Sequence, residues 1–333
     1  MKICIIGGGW VGSHLAIKFR NDHDVSIYEK NVKLFTETSF NNQNRLHLGY
    51  HYPRNYQTRQ LCKNTFHLFL NEYGFLTKGV NKNLYCVDDK RSMLDFNTYL
   101  QIFSDLDYTI EDHSFLNTSG CINAKEKQIM FEKANHFFNQ ELNHFHIQEN
   151  IKIKDLHLLA KDHNLVIDCT NNHLNKKNDF NNFYELTVSY LYDKKRKNSF
   201  DALTFMDGDF FSIFPYKGNT FTVTDVKRTP IKKFINHEEI MFYKEKILEN
   251  SFLEINRYEI EKNIINYYPE FNKDFEYKDY FLSTKSKTLS GSDNRYPVIS
   301  YKDNIIKCFT GKIQGIYIIE EAVNKYIKEY ERR

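Results

Sequence analysis

The sequence predicts an α/β protein with two lobes, one built on a parallel β-sheet and the other on an antiparallel β-sheet. Residues 2–6 and 164–168 are short, continuous apolar runs, as in strands buried on both faces of a parallel sheet. Residues 184–226 instead hold β-rich runs separated by turn residues, which is typical of antiparallel sheets. The length of 333 residues also favours two lobes, because single cores stop growing near roughly 250–300 residues.

The remaining elements follow from the spacing of apolar residues along the chain. A helix over 11–19 and a strand over 24–28 complete a β–α–β unit directly after the first strand. Helices are also predicted over 56–73, 92–103, 126–142, 237–248, 258–267 and 318–331. Strands are predicted over 84–88, 184–192, 210–216 and 220–226. We assign 1–80, 145–180 and 290–333 to the first lobe, and 81–144 and 181–289 to the second.

Composition excludes several classes of protein. The formal net charge is only +3, so no large positive field suggests nucleic acid as a partner. No apolar run approaches the ~18 residues of a membrane-spanning helix, and the start is apolar for too few residues to be a signal peptide, which favours a soluble, cytoplasmic protein. The six cysteines form no CxxC pair and no metal-type spacing with histidine, so we expect reduced thiols and no metal site.

Three glycines in the pattern G-x-G-x-x-G follow the first strand and open the first helix. The first allows a tight turn, the second lets the backbone approach a pyrophosphate, and the third lets helix and strand pack closely. A glutamate ends the second strand, where a carboxylate accepts hydrogen bonds from a ribose diol, and the lysine after it favours an unphosphorylated ribose. This Rossmann-like lobe should therefore bind FAD or NAD rather than NADP. The residues expected to bind the cofactor here are Gly7, Gly9, Trp10, Val11, Gly12, Glu29 and Lys30.

Residues 43–62 contain a His-x-Gly-x-x-Tyr element formed by His47, Gly49 and Tyr52. This segment resembles the one that follows the second strand in the D-amino-acid oxidase superfamily of flavoenzymes. The likeness is greatest to its L-2-hydroxyglutarate dehydrogenase and glycerol-3-phosphate dehydrogenase branches, where such an element lies beside the flavin.

Three later features are similar to the same superfamily and occur in its order. They are the strand 165–168 with Thr170, the β-rich middle, and the segment Gly311-Lys312-Ile313. The resemblance implies non-covalent FAD in the Rossmann-like lobe and substrate in the β-rich lobe. It also implies that Thr170 and the late glycine segment contact FAD, the latter at the pyrimidine end of the flavin. Cys308 is interpreted as a buried strand cysteine rather than as a point of covalent attachment.

His47 is the candidate catalytic base, because an imidazole accepts a proton near neutral pH, although a purely structural histidine is the alternative. Lys312 would stabilise the negative charge of reduced flavin if it lies at the N1–C2=O edge, and is otherwise an exposed loop lysine. Tyr52 is expected to line the cavity with them.

Arg295 would hold a substrate carboxylate through two parallel hydrogen bonds, with a solvated loop arginine as the alternative. Arg45 would contact the FAD pyrophosphate or anchor its loop. We favour the cofactor, with Leu46 beside it.

These features predict an FAD-dependent oxidase or dehydrogenase. It would remove a hydride from a carbon bearing an amine or a hydroxyl, in a small amino or hydroxy acid or in a biosynthetic derivative of one. Two enzyme alternatives stay open: an NAD-dependent dehydrogenase or epimerase, which should continue with regular β–α alternation, and a flavin-dependent mutase without net oxidation. A non-enzymatic interaction protein would have no need for a complete dinucleotide fingerprint.

Overall fold

The structure, a computed structural model, describes residues 1–151, 153–174, 180–248, 251–289 and 294–332. Its helices are α1 (Trp10–Phe19), α2 (Tyr56–Tyr73), α3 (Phe96–Ile102), α4 (Phe131–Glu141), α5 (Ile153–Asp162), α6 (Glu238–Leu248), α7 (Phe252–Ile265), α8 (Phe271–Asp274) and α9 (Ile316–Glu331). Within these described ranges, no helix is both long enough and apolar enough to cross a membrane.

The strands form three sheets. Those of the first half of the chain are β1 (Lys2–Ile6), β2 (Asp24–Glu29), β3 (Arg45–Leu46), β4 (Thr77–Gly79), β5 (Asn83–Asp88), β6 (Tyr108–Glu111), β7 (Thr118–Ala124), β8 (Lys127–Ile129), β9 (His146–Gln148) and β10 (Leu165–Asp168). Those of the second half are β11 (Asn182–Lys194), β12 (Ala202–Met206), β13 (Phe211–Lys217), β14 (Thr220–Asp225), β15 (Pro230–Phe234), β16 (Phe275–Thr288), β17 (Val298–Lys302) and β18 (Ile305–Phe309).

The first lobe is built on a six-stranded sheet with the order β17-β18-β10-β1-β2-β9. Its strands are parallel except for β17, which pairs antiparallel with β18. Ile3 and Ile5 pack in the core that contains α1 and α9, whereas Cys4 and Ile6 pack on the opposite face with α5. Burial on both faces explains why the first strand is an unbroken apolar run, and the predicted β–α–β unit is confirmed.

The second lobe is built on a large, mostly antiparallel sheet with the order β15-β11-β14-β13-β12-β5-β7-β6, and β16 pairs with β11. The pairing of β11 with β16 is antiparallel over 13 register pairs, from Asn182–Thr288 to Lys194–Phe275. One face of the sheet packs against α7, through Leu253, Ile260 and Ile264. The predicted fold class, a Rossmann-like lobe with a β-rich second lobe, is confirmed, while the exact lobe boundaries stay a prediction.

A third, small sheet has the order β3-β8-β4 and fixes the segment that carries the His-x-Gly-x-x-Tyr element. The prediction of a helix over 126–142 was wrong at its start, because Lys127–Ile129 is extended and pairs antiparallel with both β3 and β4. Helix α4 begins only at Phe131. Residues that suit a helix are extended here because they pair with strands that are distant in the sequence.

Two of the six cysteines are not the free thiols that the sequence led us to expect. Cys86 on β5 lies opposite Cys121 on β7, with their Cα atoms 4.2 Å apart, and the two form a disulfide. Cys4, Cys62, Cys169 and Cys308 are free and buried. The pairing could not be read from spacing, because 35 residues separate the two cysteines and only the sheet register brings them together.

Close packing at the first β–α turn gives the first testable prediction. A Cβ atom at Gly12 would lie 2.0 Å from the carbonyl oxygen of Gly7, so Gly12→Ala forces the backbone of α1 away from β1. We expect this substitution to lower the free energy of unfolding by about 2 kcal/mol or more.

Gly74→Ala is the matched control, since Gly74 ends α2 at a φ of −56° and a Cβ there would meet no atom within 4 Å. It should leave stability unchanged or raise it by up to ~1 kcal/mol. Denaturant unfolding followed by circular dichroism measures both, and equal stability of the two variants would contradict the packing argument.

Candidate functional site

Residues of both lobes line two adjoining cavities. The inner cavity has a volume of about 440 Å³ and borders the loop between β1 and α1, part of the segment 38–47, and residues 310–313. The outer cavity has a volume of about 560 Å³. The side chains that line both are His51, Tyr52, Arg54, Glu185, Asp207, Lys287 and Arg295.

The β1–α1 loop presents mainly backbone to the inner cavity. Gly7 has a φ of +97°, in the left-handed region that favours glycine, and its amide donates to the carbonyl of Tyr28 at 2.8 Å. Gly9 caps the N-terminus of α1 and lines the cavity together with Trp10 and Val11. The arrangement leaves the N-terminus of α1 directed at the cavity, as an anion-binding loop requires.

The Trp10 ring belongs to the core rather than to the cavity wall. Its centroid lies 4.8 Å from that of Phe35 and 5.3 Å from that of Phe138. The amide of Trp10 donates to Ser39 Oγ at 3.0 Å, so the loop after β2 is tied to the start of α1. Any contact of Trp10 with a ligand is therefore made chiefly by its backbone.

Glu29 lies at the end of β2 with 8% of its surface exposed. Its Oε2 accepts a hydrogen bond from the amide of Gly8 at 2.9 Å, and its Oε1 accepts one from the amide of Asn31 at 3.0 Å. The carboxylate is thus fixed beside the glycine loop. Lys30 turns away to the surface, where its Nζ lies 2.9 Å from Glu37.

His47 and Glu126 form a buried pair. The Nδ1 atom of His47 lies 3.5 Å from Oε1 of Glu126. Burial, together with the positive charge of Lys312, lowers the pKa of His47 to about 4. Burial raises the pKa of Glu126, but the neighbouring His47 and Arg45 and the hydrogen bond from Tyr85 outweigh it and bring the pKa to about 2. At neutral pH the pair is therefore a neutral imidazole beside a carboxylate.

Glu126 also holds the backbone of the His-x-Gly-x-x-Tyr element. Its Oε1 accepts from the amide of Leu48 at 2.8 Å, and its Oε2 accepts from the hydroxyl of Tyr85 at 2.6 Å. Sequence reasoning missed this residue, because it is 79 positions from His47 and belongs to no motif. Only the pairing of β3 with β8 brings the two segments together.

Arg45 is buried and bound to hydroxyl groups of the second lobe. Its guanidinium donates to Tyr85 Oη at 2.9 Å, to Thr204 Oγ1 at 3.1 Å and to Ser212 Oγ at 2.8 Å, and it lies 4.0 Å from the ring centroid of Phe214. These contacts support the anchoring role that the sequence left as the alternative to a pyrophosphate contact. Arg45 still lines the inner cavity, and Leu46 beside it is fully buried in the core.

Lys312 is buried at the wall of the inner cavity rather than exposed on a loop. Burial, together with the neighbouring cations Arg295 and Lys285, lowers its pKa to about 7, against opposing contributions from Cys62 and Glu126. Its Nζ lies 4.6 Å from the ring centroid of Tyr52. In the part of the chain that the structure describes, no carboxylate lies within ion-pair distance of this ammonium.

The other late residues lie close by. Gly311 packs against the side chain of Arg295, and both line the inner cavity with Ile313. Thr170 lies under the glycine loop, where its hydroxyl donates to Asp168 Oδ1 at 2.6 Å. Part of the turn-rich stretch that precedes Arg295, residues 290–293, lies outside the described residues.

The structure thus brings together most of the residues that the sequence singled out. Tyr52, Arg295 and Lys312 meet at the inner cavity with His47, although more than 240 positions separate the two ends of this set. Residues of the wall that the sequence did not reveal include His51, Arg54, Asp207, Glu185 and Lys285. They come from several strands and loops and share no local pattern.

Two curated relatives are FAD-dependent monooxygenases of fungi. FAD-dependent monooxygenase FPY4 of Fusarium mangiferae is 28% identical over 343 residues, covering 98% of this chain and 90% of the relative. FAD-dependent monooxygenase kojA of Aspergillus flavus is 23% identical over 373 residues, covering 100% of this chain and 87% of the relative. No family model matches the chain.

Solved structures share the fold at low sequence identity. Glycine oxidase from Geobacillus kaustophilus has a TM-score of 0.66 and 11% identity, with 98% of this chain and 94% of that chain covered. L-alpha-glycerophosphate oxidase from Mycoplasma pneumoniae, solved with FAD bound, has a TM-score of 0.67 and 13% identity, with 97% and 93% covered. The solved structures confirm the predicted two-lobed fold, and the relatives bear out the predicted FAD-dependent enzyme.

The Glu126 carboxylate gives a pH-dependent prediction. Its pKa lies near 2 in the folded protein against an ordinary 4.5, so its stabilisation is fully present above pH 4.5 and is lost as the pH falls toward 2. We expect Glu126→Gln to lower the free energy of unfolding by about 2 kcal/mol at pH 7, with the difference shrinking between pH 4.5 and 3.

Glu132→Gln is the control, because Glu132 pairs with Lys217 on the surface. Its effect at pH 7 should be below ~1 kcal/mol. Denaturant unfolding across this pH range measures both variants. A loss of stability in Glu126→Gln that does not change with pH would contradict an ionised Glu126.

Proposed function

We propose that this chain is an FAD-dependent oxidoreductase that removes a hydride from a carbon bearing an amine or a hydroxyl. Its substrate would be an amino acid, a hydroxy acid or a derivative of one. The observation that supports this most is the meeting of His47, Tyr52 and Lys312 at the inner cavity, next to the β1–α1 loop. A proton acceptor and a cation would thereby face the same ligand.

The residues around the inner cavity fit FAD. Gly9 lines the cavity at the start of α1, where a pyrophosphate would lie, and the Glu29 carboxylate lies beside the same loop, where it would accept from ribose hydroxyls. Among the described residues, Arg45 Nε and His51 Nδ1 are buried at this cavity without a hydrogen-bond partner, as expected where a polar ligand binds. When bound, FAD supplies the hydride acceptor.

His47 would accept the proton of the substrate amine or hydroxyl. Its Nδ1 lies 3.5 Å from the Glu126 carboxylate without a hydrogen bond to it, and a ring hydrogen on Nδ1 would leave Nε2 as the acceptor. The carboxylate favours the imidazolium that would form, but burial and the charge of Lys312 outweigh it and hold the pKa of the ring at about 4. This is the arrangement of a base with an orienting carboxylate.

Lys312 and Arg295 would each stabilise a negative charge, that of the reduced flavin and that of a substrate carboxylate. Lys312, buried and without a carboxylate among the described residues, would stabilise the negative charge that reduction places on the pyrimidine end of the flavin. Arg295 lines both cavities, and the donation of its amide to Thr58 Oγ1 at 2.9 Å holds its backbone at the wall where its guanidinium would bind a substrate carboxylate.

The names of the two fungal relatives favour a second candidate, a monooxygenase that inserts an oxygen atom into its substrate. Turnover under ¹⁸O₂ separates the two, because a monooxygenase incorporates the label into the product and an oxidase does not. The NAD-dependent alternative has less support, since β2 is followed by the small sheet and not by regular β–α alternation.

Anaerobic reduction of the flavin tests the proposed reaction. A panel of amino acids, hydroxy acids and their phosphorylated or glycosylated derivatives should include a compound that bleaches the bound flavin. With that compound, His47→Asn should slow the bleaching by about 10² or more while flavin content is kept. His67→Asn, on the exposed face of α2, should react like the unaltered protein. Equal rates for both variants would exclude His47 as the base.

Lys312→Met tests the role of the buried ammonium. Loss of a positive charge beside reduced flavin should make the midpoint potential of the bound flavin more negative by about 30–60 mV, the equivalent of ~1.5–3 kcal/mol for two electrons. Lys302→Met, on the exposed end of β17, is the control. Spectroelectrochemical titration measures the potential, and an unchanged value in Lys312→Met would place Lys312 away from the flavin.

A further inference from the structure

Three lysines lie on the face of the second-lobe sheet that borders the cavities. Lys233 on β15 and Lys285 on β16 are both register partners of Glu185 on β11, and Lys287 is the register partner of Phe183. Because side chains alternate along a strand and directly opposed residues share a face, these residues project from one side of the sheet. Lys233, Lys285 and Lys287 are referred to below as the lysine face.

Among the described residues, one acidic side chain lies beside the lysine face. Glu185 forms an ion pair with Lys287, and in the described ranges no carboxylate lies within ion-pair distance of Lys233 or Lys285. Burial and the neighbouring Lys287 lower the pKa of Lys285 to about 8, as expected where cations are crowded. Among the described residues, the lysine face therefore has three lysines beside one carboxylate, that of Glu185.

The rest of the outer cavity does not reverse this charge. The other acidic side chain among its described lining residues, Asp207, lies 2.7 Å from Nε of Arg54, and Arg295 adds a further cation to the wall. Apolar surface is present as well, since Phe183 borders the cavity and the Nζ of Lys233 lies 5.0 Å from its ring centroid. The wall suits an organic anion better than a cation or an uncharged compound.

Size points to a ligand larger than a free amino acid. With the flavin in the inner cavity, the reacting part of the substrate lies at the shared wall, at Tyr52 and Arg295. The outer cavity, about 560 Å³, then remains beyond it. Cavities of roughly 300–1,000 Å³ hold ligands of drug size, whereas a free amino acid would leave most of this volume unfilled.

We propose that the substrate is a larger organic anion, whose reacting end lies at the flavin and whose phosphate- or carboxylate-bearing remainder binds in the outer cavity against the lysine face. This inference rests on the proposed function for the position of the reacting end. Lys233 lies at the end of the lysine face that is farthest from the flavin. It would therefore contribute to the affinity for the substrate and not to hydride transfer.

Calorimetric titration of the purified flavoprotein tests this, with pyrophosphate as the phosphate probe and citrate as the carboxylate probe at constant ionic strength. Lys233→Met should weaken binding of the preferred probe about fivefold. Lys232→Met is the matched control, because this exposed neighbour on the same strand lies on the other side, with its Nζ 4.4 Å from the ring centroid of Tyr243. It should bind like the unaltered protein.

The outcomes distinguish a failure of this inference from a failure of the proposed function. Tighter binding of pyrophosphate or of citrate identifies the anionic group, provided that Lys233→Met weakens it and Lys232→Met does not. If flavin-containing protein binds neither probe, this inference is overturned. It is also overturned if Lys233→Met binds both probes as tightly as Lys232→Met does. In either case the proposed function stands. Protein that contains no FAD contradicts the proposed function itself, whatever it binds.

Discussion

The structure around the cavities depends on one buried carboxylate. Glu126 accepts hydrogen bonds from the amide of Leu48 and the hydroxyl of Tyr85, and it faces Nδ1 of His47. Tyr85 in turn accepts from the buried Arg45, which is bound to hydroxyls of the second-lobe sheet. A single ionised group thus holds the backbone at Leu48, lies beside the His47 ring and balances part of the charge of Arg45. Removing it would leave buried cationic and polar groups unpaired, which costs more than the hydrogen bonds alone.

The charge around the cavities follows from this arrangement. Glu126 interacts with its own partners and lies out of ion-pair distance of Lys312, and Glu185 is paired with Lys287. The inner cavity therefore presents cations to a ligand, and the lysine face extends the same sign into the outer cavity. An anionic cofactor and an anionic substrate would be bound by one continuous positive wall. The same wall would favour the negative charge that develops on a reduced flavin.

Local physics explains what the sequence could predict. The β–α–β unit, the glycine turn and Glu29 depend on neighbours within thirty residues, so spacing and residue type were sufficient to find them. The resemblance of residues 43–62 pointed to His47 and Tyr52, and both line the inner cavity. Glu126, the lysine face and the disulfide between Cys86 and Cys121 depend on strand register over long separations, which no local pattern reveals. The same register turned the expected start of a helix at 126 into a strand.

The identity of the cofactor in the purified protein tests most directly whether the inner cavity holds FAD. We expect yellow protein with the two-band absorption of oxidised flavin in the near-ultraviolet and blue, which releases on heating a compound with the mass of FAD. Colourless protein that stays colourless after FAD is added, yet binds NADH, would contradict an FAD site in the inner cavity and favour a nicotinamide-dependent enzyme.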